Sequence, residues 1–177
     1  GSEMCIRDSC RESVCCSHAY STFPLCTPHR GSLMTGKYPW SNVDAKILPG
    51  NAALIIDTQK ITLPKLMKQA GYTTGSVGKW HIGLGDGHVD WNKEVHPGAA
   101  EIGYDYSFIQ AATNDRVPCV FLENGRVVGL DPNDPLYVDY RKNCPGEPTG
   151  KENPELLRMH PSVGHAGSIA VSYTHLR

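Results

Sequence analysis

The chain has 177 residues, 40% of them hydrophobic, and a formal net charge of −1. That supports one globular domain with a core, and near neutrality excludes nucleic acid as the main partner. No apolar run approaches the roughly 18 residues that cross a bilayer, so no membrane span is expected. In chain order, Pro28 in a first turn and Gly36 at the end predict a helix over 28–35, with Cys26 just before its N-terminus. Residues 38–56 read as a loop-rich connection with Pro39, Pro49 and Gly50, ending in the apolar run 52–56. Thr62 as cap and Pro64 in the first turn open a second helix. Leu63, Leu66, Met67 and Ala70 fall at helical spacing along it, and Gly71 stops it. Residues 72–77 then read as a short buried strand.

A long surface loop is expected over 84–101, carrying His88 and His96. Residues 117–122 and 127–130 flank Asn124-Gly125, the strongest short signal for a β-hairpin with a type I′ turn. Five prolines make 131–154 an irregular excursion. Asn153 as cap and Pro154 at the first position suggest a further helix over 153–160. No internal repeat is visible. Four of the seven cysteines (Cys5, Cys10, Cys15 and Cys16) crowd the first sixteen residues. Cysteine number is therefore a poor guide to redox compartment, and a bridge between Cys119 and Cys144 does not follow from spacing.

Two blocks carry chemistry. The first is Cys26-Thr27-Pro28-His29-Arg30, followed by Leu33-Met34-Thr35-Gly36-Lys37. A helix N-terminus offers free N–H groups and a positive dipole end to an anion, and Arg30 lies one turn from Cys26. The second is Gly78-Lys79-Trp80-His81-Ile82-Gly83, at the C-terminal end of the expected strand. That end of a strand is where open α/β sheets bind ligands. Taken singly, Cys26 reads equally as a small buried hydrophobe. Arg30 and Lys79 read equally as solvated charges, and His81 as a packed loop histidine.

Together, and in this order, the blocks resemble the two signatures of the type I, formylglycine-dependent sulfatases. Segments Gly103-Tyr104-Asp105-Tyr106 and Phe121-Leu122-Glu123-Asn124-Gly125-Arg126 extend the resemblance, which covers about residues 17–169. His29 is a departure, since the family usually carries a small hydroxyl residue there. The resemblance implies an alkaline-phosphatase-like α/β/α sandwich, here incomplete: an internal piece of the N-terminal catalytic domain. It implies that a formylglycine-generating enzyme oxidises Cys26 to an aldehyde. One hydroxyl of the hydrate then binds a divalent cation, Ca2+, and attacks the sulfur of a sulfate ester, displacing the alcohol. The second loses its proton as sulfate leaves. Arg30 is implied to steady the hydrate, Lys79 to grip a sulfate oxygen, and His81 to act as the base. Thr113 and Asp115 are candidates for the substrate, beside Asn114, with loop capping as their plain alternative.

The metal shell beyond position 26 is expected to lie outside the chain, so the isolated piece is expected to be inactive. The full protein is expected to be periplasmic or secreted, although no signal pattern stands in this sequence. Trp91, Tyr137 and Tyr140 offer stacking faces, with Asp131, Asp134 and Arg141 as polar contacts, so a carbohydrate sulfate is the preferred substrate class. Two alternatives stand beside this reading. One is a phosphonate or phosphate monoester hydrolase of the same superfamily. The other is a non-enzymatic zinc module built from Cys15 or Cys16, His18, Cys26 and His29. Residues 4–9 and 171–177 resemble translated sequencing-adapter read-through. Residues 1–12 and 170–177 are therefore expected to be foreign to a domain spanning 13–169, and nothing in the sequence decides a role for His160 or His165.

Overall fold

The computed structural model of the chain describes residues 2–41, 46–113, 117–140 and 153. Three helices, α1 (Ser2–Glu12), α2 (Cys26–Thr35) and α3 (Leu63–Gln69), accompany four strands. The strands are β1 (Gly75–Lys79), β2 (Tyr106–Gln110), β3 (Phe121–Glu123) and β4 (Arg126–Val127). They form one mixed sheet in the order β1-β2-β3-β4. The first pair is parallel, with Val77 opposite Phe108 and Lys79 opposite Gln110. The other pairs are antiparallel, with Ile109 opposite Leu122 and Leu122 opposite Val127. This is the expected α/β class.

Local signals explain much of the layout. Thr62 caps α3, its hydroxyl accepting from the Lys65 amide at 3.4 Å and donating to the Ile102 carbonyl. Gly36 ends α2 in the left-handed region at φ 67°. Asn124 and Gly125 both have positive φ, 48° and 82°, as a type I′ turn requires. The core lies on one face of the sheet. Ile109, Leu122 and Val127 meet Trp80, Ile82, Leu84, Trp91, Val95 and Ile102 there.

Several expectations need correction. Helix α2 begins at Cys26, because extended Leu25 (φ −115°, ψ 150°) is the capping residue and its carbonyl accepts from the His29 amide at 3.1 Å. Cys26 is therefore the first residue of the helix. Strand β1 starts three residues later than the 72–77 reading. The Thr74 amide and hydroxyl are already bound to Asp105 Oδ2 (2.9 Å and 3.0 Å), which locks the preceding turn. Val77 is 76% exposed, since β1 ends the described sheet and one of its faces is uncovered. The apolar stripe of α3 is also largely uncovered, with Leu63 41% and Leu66 53% exposed, while Pro64 is buried.

The 84–101 segment is not merely a surface loop, because Leu84, Trp91, Val95 and Ala99 belong to the core. Ser2–Glu12 is helical, although the sequence there carries no clear start or stop signal, and residues 7–12 are exposed. The expected helix over 153–160, along with Asn114, Asp115, Arg141, Cys144, His160 and His165, lies outside the described residues except for Asn153.

Candidate active site

The parallel pair continues past its strands. The Trp80 amide donates to the Gln110 carbonyl (2.9 Å) and the His81 amide to that of Ala111 (3.1 Å). The C-terminal ends of β1 and β2 therefore run side by side, carrying Lys79 and His81 on one and leading to Thr113 on the other. Helix α2 docks across this edge by its N-terminal turn. The buried Thr27 hydroxyl donates to the His81 carbonyl at 2.8 Å. One turn on, Arg30 Nη1 donates to the Lys79 carbonyl at 2.6 Å. These two bonds unite both sequence blocks at one place: Cys26 and Arg30 from α2, Lys79 and His81 from the end of β1.

Each side chain has a distinct setting. Cys26 is half-buried at the first position of α2, where backbone N–H groups have no partner within the helix. Arg30 Nε is buried without a hydrogen-bond partner among the described residues, which leaves a donor for an anion. Lys79 is half-buried, and no ion pair or hydrogen bond holds its ammonium among the described residues. His81 is 1% exposed, with a left-handed backbone at φ 56°, and its Nε2 lies 3.0 Å from the Leu48 carbonyl. Thr113 Oγ1 is likewise buried and unpartnered among the described residues. The α2 N-terminus, with its free amides, thus lies against the backbone of Lys79 and His81. Such fixed donors stabilise charge that develops during reaction.

Other candidates are placed elsewhere. His29 Nδ1 lies 2.9 Å from the Ser21 hydroxyl, on the outer side of the helix start. Trp91 is 3% exposed and its Nε1 donates to the Tyr140 hydroxyl at 2.8 Å. Its ring is therefore a core element and offers no sugar-stacking face, which corrects the rim expected from the sequence. Among the described residues no group of three His, Cys, Asp or Glu side chains converges. Cys15, Cys16, His18, Cys26 and His29 are accordingly not brought together as a group of three. Two contributors to the site were missed in the sequence. Thr27 carried a signal, standing inside the first block. Leu48 carried none, since it acts through its backbone carbonyl.

The sulfatase family model matches residues 6–117. An N-acetylgalactosamine-6-O-sulfatase of Bacteroides thetaiotaomicron is 53% identical over 154 residues, 86% of this chain and 30% of the relative. Human steryl-sulfatase is 40% identical over 100 residues, 52% of this chain and 16% of that protein. A solved structure described under glycosaminoglycan metabolism by B. thetaiotaomicron superimposes with a TM-score of 0.73. It is 54% identical and covers 78% of this chain and 29% of its own. The chain thus spans about 30% of the length of its B. thetaiotaomicron relative, and it belongs to the sulfatase family.

Proposed function

We propose that this chain forms part of a sulfuric ester hydrolase that cleaves a carbohydrate sulfate, with Cys26 as the precursor of its nucleophile. The observation that carries the proposal is the docking of the α2 N-terminus onto the end of β1 through Thr27 and Arg30. That docking brings the helix start carrying Cys26 and Arg30 against the backbone of Lys79 and His81, which supports reading the four as one site. The named activity of the 53% identical relative makes a 6-sulfated N-acetylgalactosamine the first substrate to test.

Converted to formylglycine by a formylglycine-generating enzyme, position 26 supplies a hydrated aldehyde, whose hydroxyls serve for attack on sulfur and for release of sulfate. The remaining tasks fall to residues of this chain. Arg30 and the first amides of α2 receive negative charge, and Lys79 binds a sulfate oxygen. His81 takes the proton that must leave before sulfate does, a role suited to an imidazole near neutral pH. Thr113, which follows β2, donates to the substrate, and Asp115 is a second candidate for that contact. Calcium belongs to the reading of the complete protein. The described residues hold no group of three His, Cys, Asp or Glu side chains to bind it, so the isolated chain should be inactive. The complete protein works in the periplasm or outside the cell, where sulfated glycans are met.

Grafting residues 13–169 into the frame of a complete relative tests the proposal. The chimaera should hydrolyse a 6-sulfated N-acetylgalactosamine, and Cys26→Ala should abolish turnover. Lys79→Ala and His81→Ala should each cost roughly two orders of magnitude, typical of removing one preorganised charge or one acid–base group. Turnover of an aryl sulfate with none on any sugar sulfate would overturn the carbohydrate assignment, and near-unchanged rates for Lys79→Ala would remove Lys79 from the site.

A further inference from the structure

We infer that Thr27 is a positioning residue for His81, holding the imidazole in place through the backbone; this rests on the reading of His81 as the site base. His81 is a non-glycine residue in the left-handed region, a conformation that persists only where its surroundings fix it. Three bonds among the described residues contribute. Its amide donates to the Ala111 carbonyl at 3.1 Å. Its carbonyl accepts from the fully buried Thr27 hydroxyl at 2.8 Å. Its ring Nε2 meets the Leu48 carbonyl at 3.0 Å. A carbonyl can only accept, so Nε2 donates and carries the proton. In the neutral form of the ring, Nδ1 is then the basic nitrogen.

The Thr27 bond links this arrangement to the nucleophile. Thr27 follows Cys26 directly, and Arg30 binds the Lys79 carbonyl from the next turn of the same helix. Any motion of α2 that moves position 26 therefore moves the His81 backbone with it. The hydroxyl thereby keeps nucleophile and base in register, although it touches no reacting atom itself.

The test compares Thr27→Val, which keeps the shape and removes the donor, with Thr27→Ser, which keeps the donor. In the 177-residue chain labelled with ¹⁵N-histidine, Thr27→Val should shift the His81 ring resonances and speed exchange of the His81 amide by roughly tenfold or more. Thr27→Ser should leave both near the wild type. In the chimaera, Thr27→Val should lower kcat by roughly 10- to 100-fold, as small misplacements of reacting groups do, with KM nearly unchanged and Thr27→Ser restoring the rate. Unchanged ring signals and amide protection in Thr27→Val would overturn the inference. Should that variant not fold, the unmutated chain still decides: the proton must sit on Nε2, and a proton on Nδ1 overturns the assignment. If the ring responds to Thr27→Val while His81→Ala leaves turnover intact, the base reading fails and the positioning contact stands.

Discussion

Gly83 closes the second sequence block, and its substitution exposes how the site is supported. Its φ of +83° lies where a Cβ is disfavoured, and a Cβ built there would stand 1.8 Å from the Ala53 carbonyl oxygen and 2.5 Å from its carbon. Both atoms are backbone, so no side-chain rotation can relieve the overlap. Gly71 provides the control, because its φ is +87° but nothing lies within 4 Å of the added methyl. Gly71→Ala should therefore cost only the left-handed strain, about 1–2 kcal/mol. Gly83→Ala adds overpacking worth about 1–3 kcal/mol, for a sum of roughly 2–5 kcal/mol. Domain stability is about 5–15 kcal/mol, so the second variant loses a large share of it.

The displacement would also reach the site. The segment that Gly83 touches is laced to residues 82–85 by bonds from Leu84 N to Ala52 O, Leu54 N to Gly85 O and Ile55 N to Ile82 O, at 2.9–3.1 Å. It leads back to Leu48, which holds the His81 ring. Urea unfolding followed through the buried Trp80 and Trp91 measures both variants. Equal destabilisation by the two alanines would refute the packing argument.

Three further outcomes follow from named contacts. Thr62→Ala removes the α3 cap and leaves the buried Ile102 carbonyl without its donor, so the urea midpoint should fall by the equivalent of about 2 kcal/mol with an unchanged slope; a loss within error would contradict this, and Thr62→Ser should recover most of it. His96 is bonded to Glu101 at 2.8 Å and to Glu94 at 2.7 Å, Glu94 in turn being paired with Arg126, and these carboxylates raise the imidazole pKa above 6.5. Its contribution should be complete below about pH 6.5 and lost as pH rises through the raised value, and His96→Gln should remove that pH dependence; an NMR titration midpoint at or below 6.5 would count against it. Asp105 is held at about 2 by Lys68, then by the Thr74 amide and hydroxyl, so its stabilisation should be present above pH 3.8 and disappear as pH falls through about 2. Asp105→Asn should flatten this acid limb, and an unchanged limb would show that the contact is not formed in solution.

What could be read from the sequence was what local chemistry decides. The Thr62 cap, the Gly36 terminus and the Asn124-Gly125 turn each depend on a few adjacent residues, and each appears as read. The two ordered blocks stood out in the sequence, and in the fold they touch through Thr27 to the His81 carbonyl and Arg30 to the Lys79 carbonyl. Burial was less legible, since it depends on partners distant in sequence. Trp91 looked like an exposed stacking face but is covered, with Tyr140 bonded to its ring nitrogen. Val77 looked like a core residue but lies on an uncovered face of the last described strand. The start of α2 was misread because Leu25 caps it without any side-chain bond. Leu48 reaches His81 by a carbonyl that every residue possesses.

Everything proposed for the site depends on Cys26, at the N-terminus of α2, being the precursor of the nucleophile. Co-expression of the chain with a formylglycine-generating enzyme, followed by mass spectrometry of the peptide carrying Cys26, tests it most directly. This peptide should lose sulfur and two hydrogens, gain one oxygen and be partly hydrated, and Cys26→Ala should abolish the change. Cys26 persisting as a thiol, while a control tag in the same cells is converted, would contradict it.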